Sequence, residues 1–209
     1  MYRLKPQFQK LLRPLVRRLA GAQIRANHVT VLACALSVGL GVFLTDRAPV
    51  RRWFLLLPAW LPIRMALNAV DGMLASEFRQ QSSLGAYLNE LADVVSDAFL
   101  YLPFAYLPGF SALWMGVVIV LAAISEMAGT VAVMTGASRR YDGPMGKSDR
   151  ALVFGAIGLW VGLAGSLPLP AAYLVPRVVA VLLALTVANR VHHGLQEIRS
   201  DAGGKRAAI

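Results

Sequence analysis

Apolar residues run in six stretches, each long enough to cross a bilayer at about 20 residues per crossing: roughly 28–45, 52–75, 86–107, 112–135, 150–167 and 171–191. The interruptions are short and carry turn chemistry. They are Thr45-Asp46-Arg47 with Pro49, Glu77 to Ser83, Pro108-Gly109, Ser138 to Asp149, and Pro168-Leu169-Pro170. Upstream of the first stretch, Phe8, Leu11, Leu12, Leu15, Val16 and Leu19 recur at helical spacing, with Lys10, Arg13, Arg17 and Arg18 on the other face. That pattern predicts an amphipathic helix over 4–22 lying in the cytoplasmic interface, the alternative being a soluble basic arm. The chain therefore reads as one all-α, polytopic membrane domain over 1–209. The interfacial helix leads into six transmembrane helices over 28–191, and a flexible tail follows over 200–209.

Composition removes the soluble alternatives. With 57% hydrophobic and 15% charged residues and a mean hydropathy of +0.57 over 209 residues, the chain is too apolar for an ordinary soluble domain. A net charge of +10 would suggest nucleic acid in a soluble protein, but in a membrane protein it marks cytoplasmic loops that face anionic lipid. No nucleic-acid partner is expected. Sixteen of the 21 lysines and arginines fall before the first stretch, in the second and fourth connections, after the last stretch, or at the adjoining stretch ends, where Arg150 and Arg190 stand. Arg47, Arg51 and Arg52 stand against them in the first connection, so both termini are assigned to the cytoplasm of a bacterial inner membrane. The one cysteine, Cys34, excludes a disulfide or a zinc-thiolate cluster. No cleavage signature precedes the first apolar stretch, so residue 1 is taken as the mature start.

Against this background, Asn68, Asp71 and Gly72 close the second stretch, and Gly85, Asn89, Asp93 and Asp97 open the third. Ionisable groups in a membrane segment are costly and usually functional. At about 1.5 Å of rise per residue, Asn89, Asp93 and Asp97 climb one helix face in steps of about 6 Å. Antiparallel neighbours then bring Asn68 and Asp71 opposite Asn89 and Asp93 near the cytoplasmic surface. Four oxygen-bearing side chains in one place suit a hard divalent cation such as Mg²⁺ or Mn²⁺. A metal there could neutralise a diphosphate and leave one carboxylate free as a base. Gly72 and Gly85 permit either close helix packing or close approach of a nucleotide.

The stretch resembles the CDP-alcohol phosphotransferase signature, Asp-x2-Asp-Gly-x2-Ala-Arg-x8-Gly-x3-Asp-x3-Asp, in register from position 68 to 93. Asp71, Gly72, Ala75, Gly85 and Asp93 match it, while Asn68, Asn89 and Ser76 replace two aspartates and the arginine. Asn27-His28-Val29-Thr30 and Gly146-Lys147-Ser148-Asp149-Arg150 are similar to two further family segments. The resemblance implies transfer of a phosphatidyl or related group from a CDP-lipid, typically CDP-diacylglycerol, to an acceptor alcohol, with release of CMP in phospholipid biosynthesis. It also implies Mg²⁺ or Mn²⁺ held by Asn68, Asp71, Asn89 and Asp93, with Asp93 taking the acceptor's proton. Asp71, Gly72, Ala75, Ser76, Arg79 and Gly85 would surround the CDP. Arg79 is either a replacement for the missing cation or an ordinary interfacial arginine. The two asparagines halve the carboxylate count, which weakens a two-metal site and leaves either one metal or metal bound mainly with the nucleotide.

Beyond the signature, helical depth pairs Arg64 with Asp97 in a buried ion pair at the site's floor, with Glu126 as a rival partner or an acceptor contact. Arg139, Arg140, Lys147 and Arg150 are candidate phosphate or acceptor ligands, and simple positive-inside bias would explain any one of them. Gly158 and Gly162 suggest close packing or a homodimer seam, and His192 and His193 read as surface residues. Two rivals stand beside the transferase. One is a cation-conducting transporter, which needs acids spread across the membrane's depth. The other is a degenerate family member that binds or hydrolyses CDP-lipid, which Asn68, Asn89 and Ser76 favour.

Overall fold

A computed structural model describes residues 5–207, with side chains described from 7 to 200. Seven α-helices form: α1 Lys5–Gly21, α2 Ala26–Asp46, α3 Leu56–Glu77, α4 Ser83–Tyr101, α5 Ala112–Met134, α6 Lys147–Ala164 and α7 Leu169–Ala207. Short 3₁₀ segments, Arg51–Leu55 and Leu102–Tyr106, lead into α3 and out of α4. Residues 5–207 contain no strand. Residue 4 of the expected first helix and residues 208 and 209 of the expected tail lie outside the described residues. The stretch 200–207 continues α7 as helix.

Among the described residues, four units are long and apolar enough to cross a membrane: Ala26–Asp46, Arg51–Glu77, Ala112–Met134 and Leu169–Ser200. α4 and α6, at 19 and 18 residues, have comparable length. They fall short of that apolarity because α4 carries Asn89, Glu90, Asp93 and Asp97, and α6 opens on Lys147, Asp149 and Arg150. The same residues that lower the apolarity of these helices build the polar centre of the bundle.

Helix ends are set by local chemistry. Ser82 Oγ accepts the Gly85 N–H at 3.0 Å and starts α4. The N–H of Ala26, first in α2, donates to Gln80 Oε1 at 2.8 Å, so the turn after α3 caps the helix beside it. Asp149 Oδ2 accepts the Gly146 N–H at 3.0 Å at the head of α6, and Gly165, at φ +81°, ends that helix in the left-handed conformation.

α2 packs on α3 and α4, α6 on α3, and α5 on α7. The larger core gathers Leu44, Phe54, Leu57, Leu100, Phe104, Met115, Phe154 and Leu183. Tyr101 stacks on Phe154 there at 4.0 Å between ring centroids. A second core ties α1 down: Val16 is fully buried against Ala26, Val29, Val70, Met73 and Leu74. Arg13 adds a two-pronged pair with Glu77, at 2.8 and 3.2 Å. Phe8, Leu11 and Leu15 stay exposed on α1, Leu11 by 76%.

Two glycine contacts decide the packing. A Cβ on Gly41 would stand 2.2 Å from the Phe99 carbonyl oxygen, so α2 and α4 touch backbone to side-chain position there. Gly41→Ala is expected to cost about 1–3 kcal/mol through forced separation of the two helices, read as a lower unfolding temperature in detergent. Gly158 and Gly162 face Leu57 and Leu55 within the chain, where added Cβ atoms would lie 3.0 and 2.5 Å from side-chain carbons. Of the two readings of these glycines, close packing is the one seen: they are spent on internal packing of α6.

Candidate active site

The cytoplasm-assigned ends of α2, α3 and α4 enclose an open cavity of about 1130 Å³. Asn68, Asp71, Gly72 and Ala75 recur at helical spacing, so one face of α3 forms one wall. Gly85, Ala86 and Asn89 of α4 form the second wall, and Ala26, Asn27 and Thr30 of α2 the third. Tyr141 and Lys147 reach in from the loop before α6 and from its first residue. The rim is polar: Gln80, Gln81, Ser82 and Ser83 from the turn between α3 and α4.

Asp71 is 5% exposed, and its Oδ2 accepts the Thr30 hydroxyl at 2.7 Å. Asp93 sits behind the cavity wall. Its Oδ1 accepts from Asn68 Nδ2 at 2.9 Å and from Arg64 Nη2 at 3.2 Å, while its Oδ2 is paired with the Lys147 ammonium. The Asn68 contact requires the carboxamide, because an ionised aspartate has no N–H to donate. Lys147 thus touches Asp93 on one side and lines the cavity on the other.

Beneath this layer is a ladder of buried charges. Arg64 Nη1 meets Asp97 Oδ1 at 2.5 Å. Arg150, 1% exposed, donates through Nε and Nη2 to Asp97 Oδ2 at 3.0 and 2.8 Å, and through Nη2 to Glu126 Oε1 at 2.9 Å. Arg190 lies 3.5 Å from Glu126 Oε2 and also donates to the Ser125 carbonyl. Taken with the site above, Arg64, Lys147, Arg150 and Arg190 face Asp71, Asp93, Asp97 and Glu126, so the charges cancel. Each buried acid in the ladder accepts from at least one arginine, which meets the requirement that buried charge be paired.

Several sequence expectations change here. Arg150 is sealed by Asp97 and Glu126 and is not available to a phosphate. Glu126 pairs with Arg150 and Arg190 rather than with Arg64. Arg139 is held by both oxygens of Glu90, and that hydrogen bonding raises its pKa. Arg140 bridges Asp142 and Glu197, each at 2.7 Å. Partial burial pushes the Asp142 carboxyl upward, but the hydrogen bond and charge of Arg140, with smaller help from the backbone and His193, together hold the group below the usual carboxylate range. Of the four basic candidates, Lys147 alone lines the cavity. Ser76 turns back to the Gly72 carbonyl at 2.7 Å, and Arg79 is exposed at φ +54°; neither lines the cavity. His193 lies 3.3 Å from Asp142, and His192 pairs with Gln196.

Sequence reasoning assigned no role to Thr30, Gln80, Gln81 or Tyr141. Thr30 had a signal, its place in the Asn27-to-Thr30 segment. The glutamines and Tyr141 lie in connections whose path no periodicity reports.

The donors present are two carboxylates and two carboxamides. Among the described residues no three His, Cys, Asp or Glu side chains are grouped to hold a metal ion. Asp71, with one oxygen outside its Thr30 bond, and the cavity-lining Asn68 and Asn89 supply hard oxygen donors suited to one Mg²⁺ or Mn²⁺. Gly72 adds a cradle: a Cβ there would meet no protein atom within 4 Å and would project at the cavity wall. That position serves ligand space rather than helix packing. Gly85 does both, since a Cβ would stand 2.9 Å from Asn27 Oδ1.

The chain is 49% identical over 164 residues to inner membrane protein YnbA of Escherichia coli strain K12, covering 78% of this chain and 81% of that protein. It is similar in fold to Mycobacterium tuberculosis phosphatidylinositol phosphate synthase PgsA1 with CDP-DAG bound, at TM-score 0.73 and 18% identity, over 88% of this chain and 94% of that one. The same synthase in complex with manganese and citrate gives a TM-score of 0.71 at 18% identity, over 87% and 88% of the two chains. An integral membrane protein with residues 23–188 matching the family throughout, this chain belongs to the CDP-alcohol phosphatidyltransferase family.

Proposed function

We propose that the chain transfers a phosphatidyl group from CDP-diacylglycerol, or a related CDP-lipid, to an acceptor alcohol and releases CMP. The observation that carries this reading is the cavity itself. Asp71, Asn68 and Asn89 converge on a space bounded by the Cβ-free Gly72, with the Lys147 ammonium across from them. Such a set suits a nucleoside diphosphate, which needs hard oxygen donors for its metal, a fixed cation, and backbone approach. The divalent ion is Mg²⁺ or Mn²⁺, held by Asp71, Asn68 and Asn89, and when bound it supplies charge neutralisation at the diphosphate.

The residues of the chain then divide the work. Thr30 fixes the Asp71 carboxylate through its hydroxyl. Arg64 and Asn68 hold Asp93 Oδ1, which leaves Oδ2 as the oxygen able to take a proton from the acceptor hydroxyl once Lys147 moves off it. The acceptor oxygen attacks the phosphorus bonded to the diacylglycerol oxygen, the bond from that phosphorus to the bridging oxygen breaks, and CMP leaves with the electron pair. Positioning and charge carry the catalysis, with no covalent enzyme intermediate.

The topology that serves this reaction has α2 to α7 as six crossings, the charged groups of α4 and α6 being kept from lipid by the ion pairs they make, and both termini in the cytoplasm. α1 lies in the interface, where its exposed Phe8, Leu11 and Leu15 face lipid. The transporter alternative is disfavoured, because Asp97 and Glu126 are tied to arginines and offer no open path for a cation. Loss of CDP-lipid by hydrolysis remains the second reading, supported by the asparagines at 68 and 89.

CMP release from CDP-diacylglycerol by purified protein with Mg²⁺ or Mn²⁺, across a panel of alcohols and without any alcohol, tests both. Acceptor-dependent release is expected. Equal release without acceptor establishes the hydrolase, and none under any condition removes both activities. Gly72→Leu is expected to weaken CDP binding by about tenfold or more with an unchanged unfolding temperature, since its side chain fills ligand space and no protein contact.

A further inference from the structure

We infer that Lys147 is a built-in replacement for a second metal ion, so that the site holds one divalent cation and one fixed ammonium. The inference rests on the CDP-lipid reading above and deepens it.

Three observations carry it. First, the Lys147 ammonium is paired with Asp93 Oδ2, the carboxylate oxygen not taken by Arg64 and Asn68. All three donors compete with a metal for Asp93, so the oxygen donors fit one ion on the Asp71 side and do not fit a second on the Asp93 side. Second, the Asn68 amide donates to Asp93, a contact that spends the residue's nitrogen and turns its carbonyl oxygen elsewhere. An aspartate at 68 would place like charge against Asp93, whereas asparagine supports it. Third, the buried ion pairs join four cations, Arg64, Lys147, Arg150 and Arg190, to three acids, and buried Asp71 supplies the fourth negative charge that balances the centre. Two divalent ions would add four positive charges to a balanced, poorly hydrated centre, where unpaired charge is costly. One ion with a diphosphate is far closer to neutrality.

Lys147 is suited to such a role by its place and its length. It is the first residue of α6 and lines the cavity beside Tyr141, while Arg150 one turn on is fixed by Asp97 and Glu126. The ladder therefore anchors the head of α6, and the lysine stem gives the ammonium reach from Asp93 to an entering phosphate. Drawing it onto the phosphate uncovers Asp93 Oδ2 only when substrate is present. A free base would otherwise face water in the empty cavity.

The test counts metal rather than turnover. Full-length protein in detergent is dialysed to equilibrium with Mn²⁺ and saturating CDP, and bound Mn²⁺ is counted against a protein-free chamber by electron paramagnetic resonance. One Mn²⁺ per chain is expected. Two per chain with CDP bound overturns the inference and leaves the CDP-lipid reading intact, whereas no CDP binding with or without Mn²⁺ overturns both. Asn68→Asp combined with Asn89→Asp is expected to stay at one while Lys147 holds Asp93, and to reach two only when Lys147→Met is added. A folded double variant that binds two ions with Lys147 in place overturns the inference. Lys147→Met is expected to weaken CDP binding by about tenfold or more, with Lys147→Arg recovering most of the loss. Unchanged binding in the methionine variant removes the ammonium from the site.

Discussion

Asp93→Asn is expected to lower acceptor-dependent CMP release by at least about 10²–10⁴-fold, the range that a positioned general base contributes. The structure gives this substitution an unusually clean reading. Asparagine keeps an oxygen that can still accept from Arg64 and Asn68, so the wall of the cavity has little reason to collapse. What disappears is the negative charge that holds the Lys147 ammonium and takes the proton. CDP binding is therefore expected to survive, and the loss falls on kcat rather than KM. The check is paired measurement of CMP release and CDP affinity on the same preparation. Equal turnover by the variant would remove Asp93 from the chemistry and point to Asp71 as the base.

The second large effect belongs to stability. Arg150→Met is expected to destabilise the chain by about 3–5 kcal/mol, because it strips donors from two buried carboxylates at once. Asp97 would retain only Arg64, and Glu126 only the more distant Arg190. Met145 and Ser125 would also lose their guanidinium contact, loosening the loop that delivers Lys147. Thermal unfolding in detergent checks the size. The double variant Arg150→Met with Glu126→Gln should lose less than the two single changes together, because neutralising the acid removes part of the unpaired charge. Additive losses would mean that the pair is not a coupled unit.

How far the sequence carried depended on which physical signal each residue used. The wall formed by Asn68, Asp71, Gly72 and Ala75 was legible because helical periodicity fixes which residues share a face. Depth along antiparallel helices placed Arg64 and Asp97 at one level, and their side chains lie 2.5 Å apart. Depth could not reveal that Asp97 is shared, since Arg150 comes from a helix whose neighbour the sequence does not specify. The loop arginines failed for a related reason. Arg139, Arg140 and Arg150 look alike as charges, but Glu90, Glu197 and Asp97 decide which of them has a free face, and these acids are 49, 57 and 53 positions away. The six apolar stretches read from the sequence and the four units apolar enough to cross differ for a physical reason. α4 and α6 are made less apolar by the very groups that the bundle then pairs internally, so hydropathy alone separates them from the other four helices.

The clamp between Arg13 and Glu77 places α1 on the same helix that carries Asn68 and Asp71. If α1 lies in the interface as proposed, with its exposed Phe8, Leu11 and Leu15 toward lipid, it would act as a float and α3 as the rod fixed to it. When bilayer thickness varies, the slack is taken up at the far ends of the helices. On the reading proposed above, the cavity would keep its level with the headgroups, where a CDP-lipid would offer its phosphate.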